Sequence, residues 1–123
     1  MNSSIVLSKA IKFALRIVKV YRFLTEEKHE YVMSRQLLLS GTFIAKHVKA
    51  ALHSRRDGGF SSEMYIALEK ALETELWLLL LHEGEFLSDT QHVSLNEDCV
   101  EMIKLTSSIS KTSRGEGIDT AGK

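Results

Sequence analysis

Five histidines, one cysteine and a run of lysines and arginines are the side chains of this 123-residue sequence whose chemistry could be put to use. Glu26 and His29 have the Glu-x-x-His spacing by which a helix offers two ligands to a di-metal centre. Such a centre needs that pair twice, with inward glutamates on other helices, and Glu26 and His29 fall in a polar turn. His47 and His53 are six residues apart, whereas ligands sharing one helical face are three or four apart. His82-Glu83 lacks the second histidine of a zinc-protease helix. Cys99 stands beside Asp98 and Glu101, which raise a thiol pKa rather than favour a thiolate, so it is expected in the core or at its boundary. Asp57-Gly58-Gly59 precedes no Gly-Lys-Ser or Gly-Lys-Thr and makes no phosphate loop. No catalytic group, metal or cofactor is expected, and the sequence reads as non-enzymatic.

The basic residues form the one polar pattern with a functional reading. Lys9, Lys12, Arg16, Lys19 and Arg22 recur every three or four residues, a stripe along one helix face that could track phosphates. The alternative is a solvated face, or one that meets an acidic neighbour. Formal charge is zero over the whole chain but uneven along it. Residues 1–56 hold eleven basic and three acidic side chains, whereas residues 57–105 hold two basic and eleven acidic ones. Such asymmetry bears on partners more than on fold.

These side chains must be positioned by helices. Proline is absent, and the segments between glycine and polar clusters carry helical periodicity. Val6, Ala10, Phe13, Ala14, Ile17, Val20, Tyr21 and Leu24 oppose the basic stripe and predict an amphipathic helix over about 3–24. After a charged turn, Tyr31 through Leu52 predict a second helix over about 29–53. Its middle, Ser40, Gly41, Thr42 and Ala45, is small enough to let another backbone come close. Asp57, Gly58 and Gly59 break the chain, and Ser61 or Ser62 could cap a third helix over about 61–82. Gly84 is a plausible left-handed terminator for it. Ser88 with Gln91, or Ser94 with Glu97, could form the capping box of a fourth helix, with Ser88 favoured and a span of about 88–112. Residues 115–123 read as a disordered tail.

The third helix is apolar on every side at Leu76, Trp77, Leu78, Leu79, Leu80 and Leu81. Part of that surface belongs to a core, with Trp77 largely buried, and part is expected to meet another molecule. The run is far shorter than the roughly 20 residues of a membrane span. One cysteine gives no internal disulfide, and no secretory pattern is apparent at Met1–Ser4, so a cytoplasmic location is expected. Helices of this length with short connections predict an all-α, antiparallel up-and-down four-helix bundle in a single domain.

Three stretches resemble one bacterial family, the 23S ribosomal RNA intervening-sequence four-helix-bundle proteins. Arg35-Gln36-Leu37-Leu38-Leu39-Ser40-Gly41-Thr42-Phe43-Ile44-Ala45-Lys46-His47-Val48 is similar to a glutamine-led segment that usually continues Ser-Gly-Thr-Ser-Ile-Gly-Ala-Asn. Ile66-Ala67-Leu68 with Ala71-Leu72-Glu73-Thr74-Glu75-Leu76-Trp77-Leu78, and Asp98 through Lys104 with Ile109-Ser110-Lys111-Thr112, resemble its later segments. Phe43, His47 and Ala50 depart from the polar residues usual at those positions. The resemblance implies a four-helix bundle, assembly as a homopentamer and no established enzymatic activity. It extends to the accessory variability determinant of diversity-generating retroelements, a basic pentamer that binds nucleic acid and a reverse transcriptase. The implied function is a homo-oligomeric assembly or adaptor module. The alternative is an accessory protein that binds RNA or DNA through the basic face of its first two helices.

Overall fold

The computed structural model describes residues 3–113, so the expected tail at 115–123 lies outside the described residues. Four helices follow in order: α1 (Ser3–Glu26), α2 (Met33–His53), α3 (Gly59–Glu83) and α4 (Asp89–Ser113). Each packs on its neighbours in sequence, and α4 returns to α1, so α1 and α3 stand diagonally across the bundle. This is the antiparallel up-and-down arrangement that the short connections dictate. No helix among the described residues is long and apolar enough to cross a membrane.

The core is built from inward positions of all four helices. Phe13, Ile17, Ile44, Leu78, Leu81 and Met102 are among its large buried side chains. Several buried residues of α2 and α3 are small, namely Ser40, Gly41, Ala67, Ala71 and Thr74. Thr74 Oγ1 donates to Ser40 Oγ at 2.9 Å and also lies 2.7 Å from the Lys70 carbonyl, so these buried hydroxyls are satisfied within the helix pair. An unpaired polar group there would cost stability. The contact between α1 and α4 is the sparsest of the four and leaves an open seam.

The ends of the helices correct several expectations. α2 begins at Met33, not near residue 29, because Glu30 turns its carboxylate back onto the helix start. The Glu30 side chain accepts from the backbone N–H groups of Val32, Met33 and Ser34 at 3.2, 3.0 and 2.7 Å, and Ser34 Oγ donates to the Glu30 carbonyl at 2.7 Å. A carboxylate is stabilised there both by the orphan donors and by the helix dipole. Tyr31 and Val32, counted in the helix from the sequence, are exposed. α3 starts at Gly59, before Ser61 and Ser62, and its N-cap is Gly58 at φ 74°. Gly84 is not left-handed, with φ −81°. The left-handed residue that closes α3 is Glu85 at φ 69°, where Phe86 N–H returns to the Leu81 carbonyl at 2.9 Å. The Ser88–Gln91 capping box forms as expected. Ser88 N–H donates to Gln91 Oε1 at 2.9 Å, and Gln91 N–H donates to Ser88 Oγ at 3.1 Å.

Candidate functional site

Two members of the basic stripe on α1 are occupied by α4. Lys9 Nζ lies 2.9 Å from Glu101 Oε2. Arg16 Nη1 lies 2.6 Å from Asp98 Oδ2 and 3.2 Å from the Ser94 carbonyl, while Nη2 donates to Ser94 Oγ at 2.8 Å. The stripe therefore works in part as a clasp across the open α1–α4 seam. Lys12, Lys19 and Arg22 remain exposed, without an ion-pair partner among the described residues. Of the five residues expected as a candidate nucleic-acid or partner face, Lys9 and Arg16 are thus engaged within the chain. The acidic neighbour is supplied by the chain itself.

The six-residue apolar run on α3 divides by helical phase. Leu78 and Leu81 are fully buried, whereas Leu76, Leu79 and Leu80 are 40–50% exposed. Trp77 is largely but not fully buried, as expected. It packs on the rim of the core, and its indole N–H donates to Glu73 Oε2 at 3.3 Å. With Tyr65 and Leu72, also exposed, Leu76 and Leu79 draw an outward ridge along α3 at helical spacing. Glu69, Glu75 and Glu83 flank it. Leu72, Leu76 and Leu79 also line a groove of about 280 Å³ against α4, with Glu75, His92 and Asn96.

α1 carries a second outward ridge, which the sequence reading had not separated from its core face. Ile11 and Leu15, four residues apart, are 46% and 58% exposed. They sit among Lys12, Lys19 and Arg22. The signal was present as two apolar residues that fell off the core stripe. Because α1 and α3 are diagonal, the two ridges point to opposite sides of the bundle and do not meet within one copy.

No group of three or more His, Cys, Asp or Glu side chains that could hold a metal ion occurs among the described residues. Cys99 is buried, and Sγ lies 3.4 Å from the Ala71 carbonyl. Burial pushes its thiol up to about 12, helped by Glu75 of α3 rather than by the sequence neighbours Asp98 and Glu101. His47 and His53 have separate partners, Glu63 at 2.8 Å and the Lys49 carbonyl at 2.9 Å. His29 contacts the Tyr31 hydroxyl at 3.2 Å. Two positions that depart from the family pattern have paired locally, His47 with Glu63 and Phe43 beneath the Lys46 ammonium, 4.5 Å from the ring centre.

One pair escaped the sequence reading. The rings of His82 on α3 and His92 on α4 stack with centroids 4.4 Å apart and planes within 7°. His82 Nε2 is 2.6 Å from Asp89 Oδ1, and Nδ1 is 3.2 Å from Glu83 Oε2. Its hydrogen bond to Asp89 raises the pKa of His82. Burial, then the neighbouring His82, lowers that of His92. Only the α3–α4 turn brings the two rings together.

The arrangement of four helices, the Gly41 contact with α1 and the Ser88 cap are all in place over most of the chain. Residues 2–108 match the family described as 23S rRNA-intervening sequence protein. The chain belongs to that family. A crystal structure of a protein of unknown function from the S23 ribosomal protein family of Bacteroides thetaiotaomicron VPI-5482 is 41% identical and superposes with a TM-score of 0.88. That match covers 90% of this chain and 99% of the Bacteroides one. No curated protein matches the chain.

Proposed function

We propose that this member of the 23S rRNA-intervening sequence family is a non-enzymatic, cytoplasmic, self-assembling adaptor module. The observation that carries the reading is the pair of outward apolar ridges on diagonal helices, flanked by opposite charge. Ile11 and Leu15 lie among Lys12, Lys19 and Arg22, while Leu72, Leu76 and Leu79 lie among Glu69, Glu75 and Glu83. The ridge of α1 on one copy fits the ridge of α3 on the next. Burial of the leucines supplies the binding free energy, and the flanking charges set orientation. Contacts between unlike faces close into a ring when the rotation permits, and the family resemblance puts the number of copies at five.

Light scattering tests this at micromolar concentration in moderate salt. The expected mass is a multiple of the 13.9 kDa chain. Leu72→Glu/Leu76→Glu should give the single-chain mass with an unchanged helical circular dichroism spectrum. A single-chain mass for the natural protein would refute the assembly.

A second reading, nucleic-acid binding, is favoured by α2 rather than α1. No aspartate or glutamate occurs in α2. Arg35, Lys46 and Lys49 are exposed along it, and Arg55 and Arg56 follow at its end. α2 packs between α1 and α3, and neither ridge includes one of its residues. Filter binding of structured RNA and duplex DNA is expected to weaken with salt, with a slope of about 0.9 per phosphate contacted on B-DNA. Lys46→Glu/Lys49→Glu/Arg56→Glu should abolish retention, and its absence at low salt in the natural chain would exclude this reading.

A further inference from the structure

We propose that His92 is a proton-operated release for the assembly: taking up a proton at the edge of the α3–α4 groove drives the neighbouring copy off the α3 ridge. The inference rests on the assembly reading and adds its regulation. His92 borders the same groove as Leu72, Leu76 and Leu79, so a copy seated on the ridge covers its ring.

The charged and titratable groups facing that ring set the direction. From α3 these are His82, stacked at 4.4 Å, with Glu83 and Glu75, and from α4 the nearest is Asp89. Asp89 and Glu83 are both within ion-pair distance of His82; they also favour a proton on His92, but burial and the His82 charge outweigh them. The backbone N–H of His92 donates to the Ser88 carbonyl, and its ring stacks on His82. Glu75 alone lines the groove as a free anion, and in the assembly it also faces the neighbouring copy's Lys12, Lys19 and Arg22. A protonated His92 would therefore stand against a cationic His82 on one side and a basic flank on the other.

The sign follows from linkage. His92 already holds its proton less firmly than the ordinary value of 6.5 because it is partly buried. A copy over the groove removes more water and lowers that affinity further. The assembled form then binds fewer protons than the free chain, so association weakens as pH falls through the free chain's own value, already below 6.5, toward the lower value in the assembly. His82 is shifted the opposite way by its hydrogen bond to Asp89, so it takes up its proton at a higher pH than His92.

The test is sedimentation of the natural chain, His92→Gln and His53→Gln at pH 7.5 and 5.5. All three should be assembled at the higher pH. The natural chain and His53→Gln should weaken by up to about tenfold per pH unit per proton linked, and His92→Gln should not change. In a proton NMR titration, His92 in the Leu72→Glu/Leu76→Glu monomer should titrate at higher pH than in the assembly, a comparison that does not depend on how His92→Gln folds. Equal association of the natural chain at both pH values would overturn the release and leave the assembly standing. So would an unchanged pH response in His92→Gln, or identical His92 titration in monomer and assembly. A natural chain that is monomeric at pH 7.5 would remove the assembly and the release with it.

Discussion

Leu78→Ala is expected to destabilise the protein by about 2–5 kcal/mol, and its sequence neighbour Leu79→Ala by no more than about 0.5 kcal/mol. Leu78 is fully buried, whereas Leu79 is 44% exposed on the outward ridge. Truncation of Leu78 removes the transfer free energy of three carbons and leaves a cavity that the packed side chains around it only partly fill. At Leu79 solvent takes the place of the missing atoms. Urea unfolding at one fixed protein concentration in the Leu72→Glu/Leu76→Glu background measures both, because association otherwise adds to apparent stability by mass action. In the natural background the ranking changes in an informative way, since Leu79→Ala should then weaken association while Leu78→Ala acts on the fold. Equal losses at the two positions in the monomeric background would mean that α3 is rotated from the phase described above.

Gly41→Ala is expected to destabilise by about 1–3 kcal/mol, although alanine in place of a helical glycine ordinarily gains about 1 kcal/mol. A Cβ at position 41 would stand 2.8 Å from Ile17 Cγ1 and 2.9 Å from Cγ2. Those atoms belong to a fully buried, β-branched side chain, which has one preferred rotamer in a helix and cannot swing aside. α1 and α2 must therefore separate. Ile17→Ala removes both opposing atoms, so in that background Gly41→Ala should be neutral or stabilising, as thermal unfolding of the four members of a double-mutant cycle would record. A higher melting midpoint for Gly41→Ala in the natural chain would show that the two backbones do not approach closely. The same cycle explains why a glycine persists in the middle of α2, where its backbone entropy is unfavourable.

Capping illustrates how far local chemistry could be read. Ser88 and Gln91 satisfy one another's backbone within four residues, and the pattern alone locates the start of α4. Glu30 does a comparable job for α2, yet it sits in a run of charged residues and has no capping-box spacing, so its carboxylate looked like one more solvated charge. Gly84 looked like the left-handed terminator of α3 because glycine adopts that conformation most easily. The chain instead places Glu85 there, since Phe86 and Leu87 must fall onto the core at the turn.

The sequence by itself determined four helical segments, their order, the small patch around Gly41 and the opposite charges of the two halves. Each depends on interactions between residues no more than four apart, or on composition, and both are printed in the chain. Tertiary structure alone decided which leucines of the 76–81 run face the core, because an all-round apolar helix carries no phase of its own. It likewise decided that Lys9 and Arg16 are held by Glu101 and Asp98, partners 92 and 82 residues away, and that His82 meets His92. Such pairs exist only after α4 has folded back along α1 and α3, since periodicity fixes the face a side chain takes but not the helix that the face will meet.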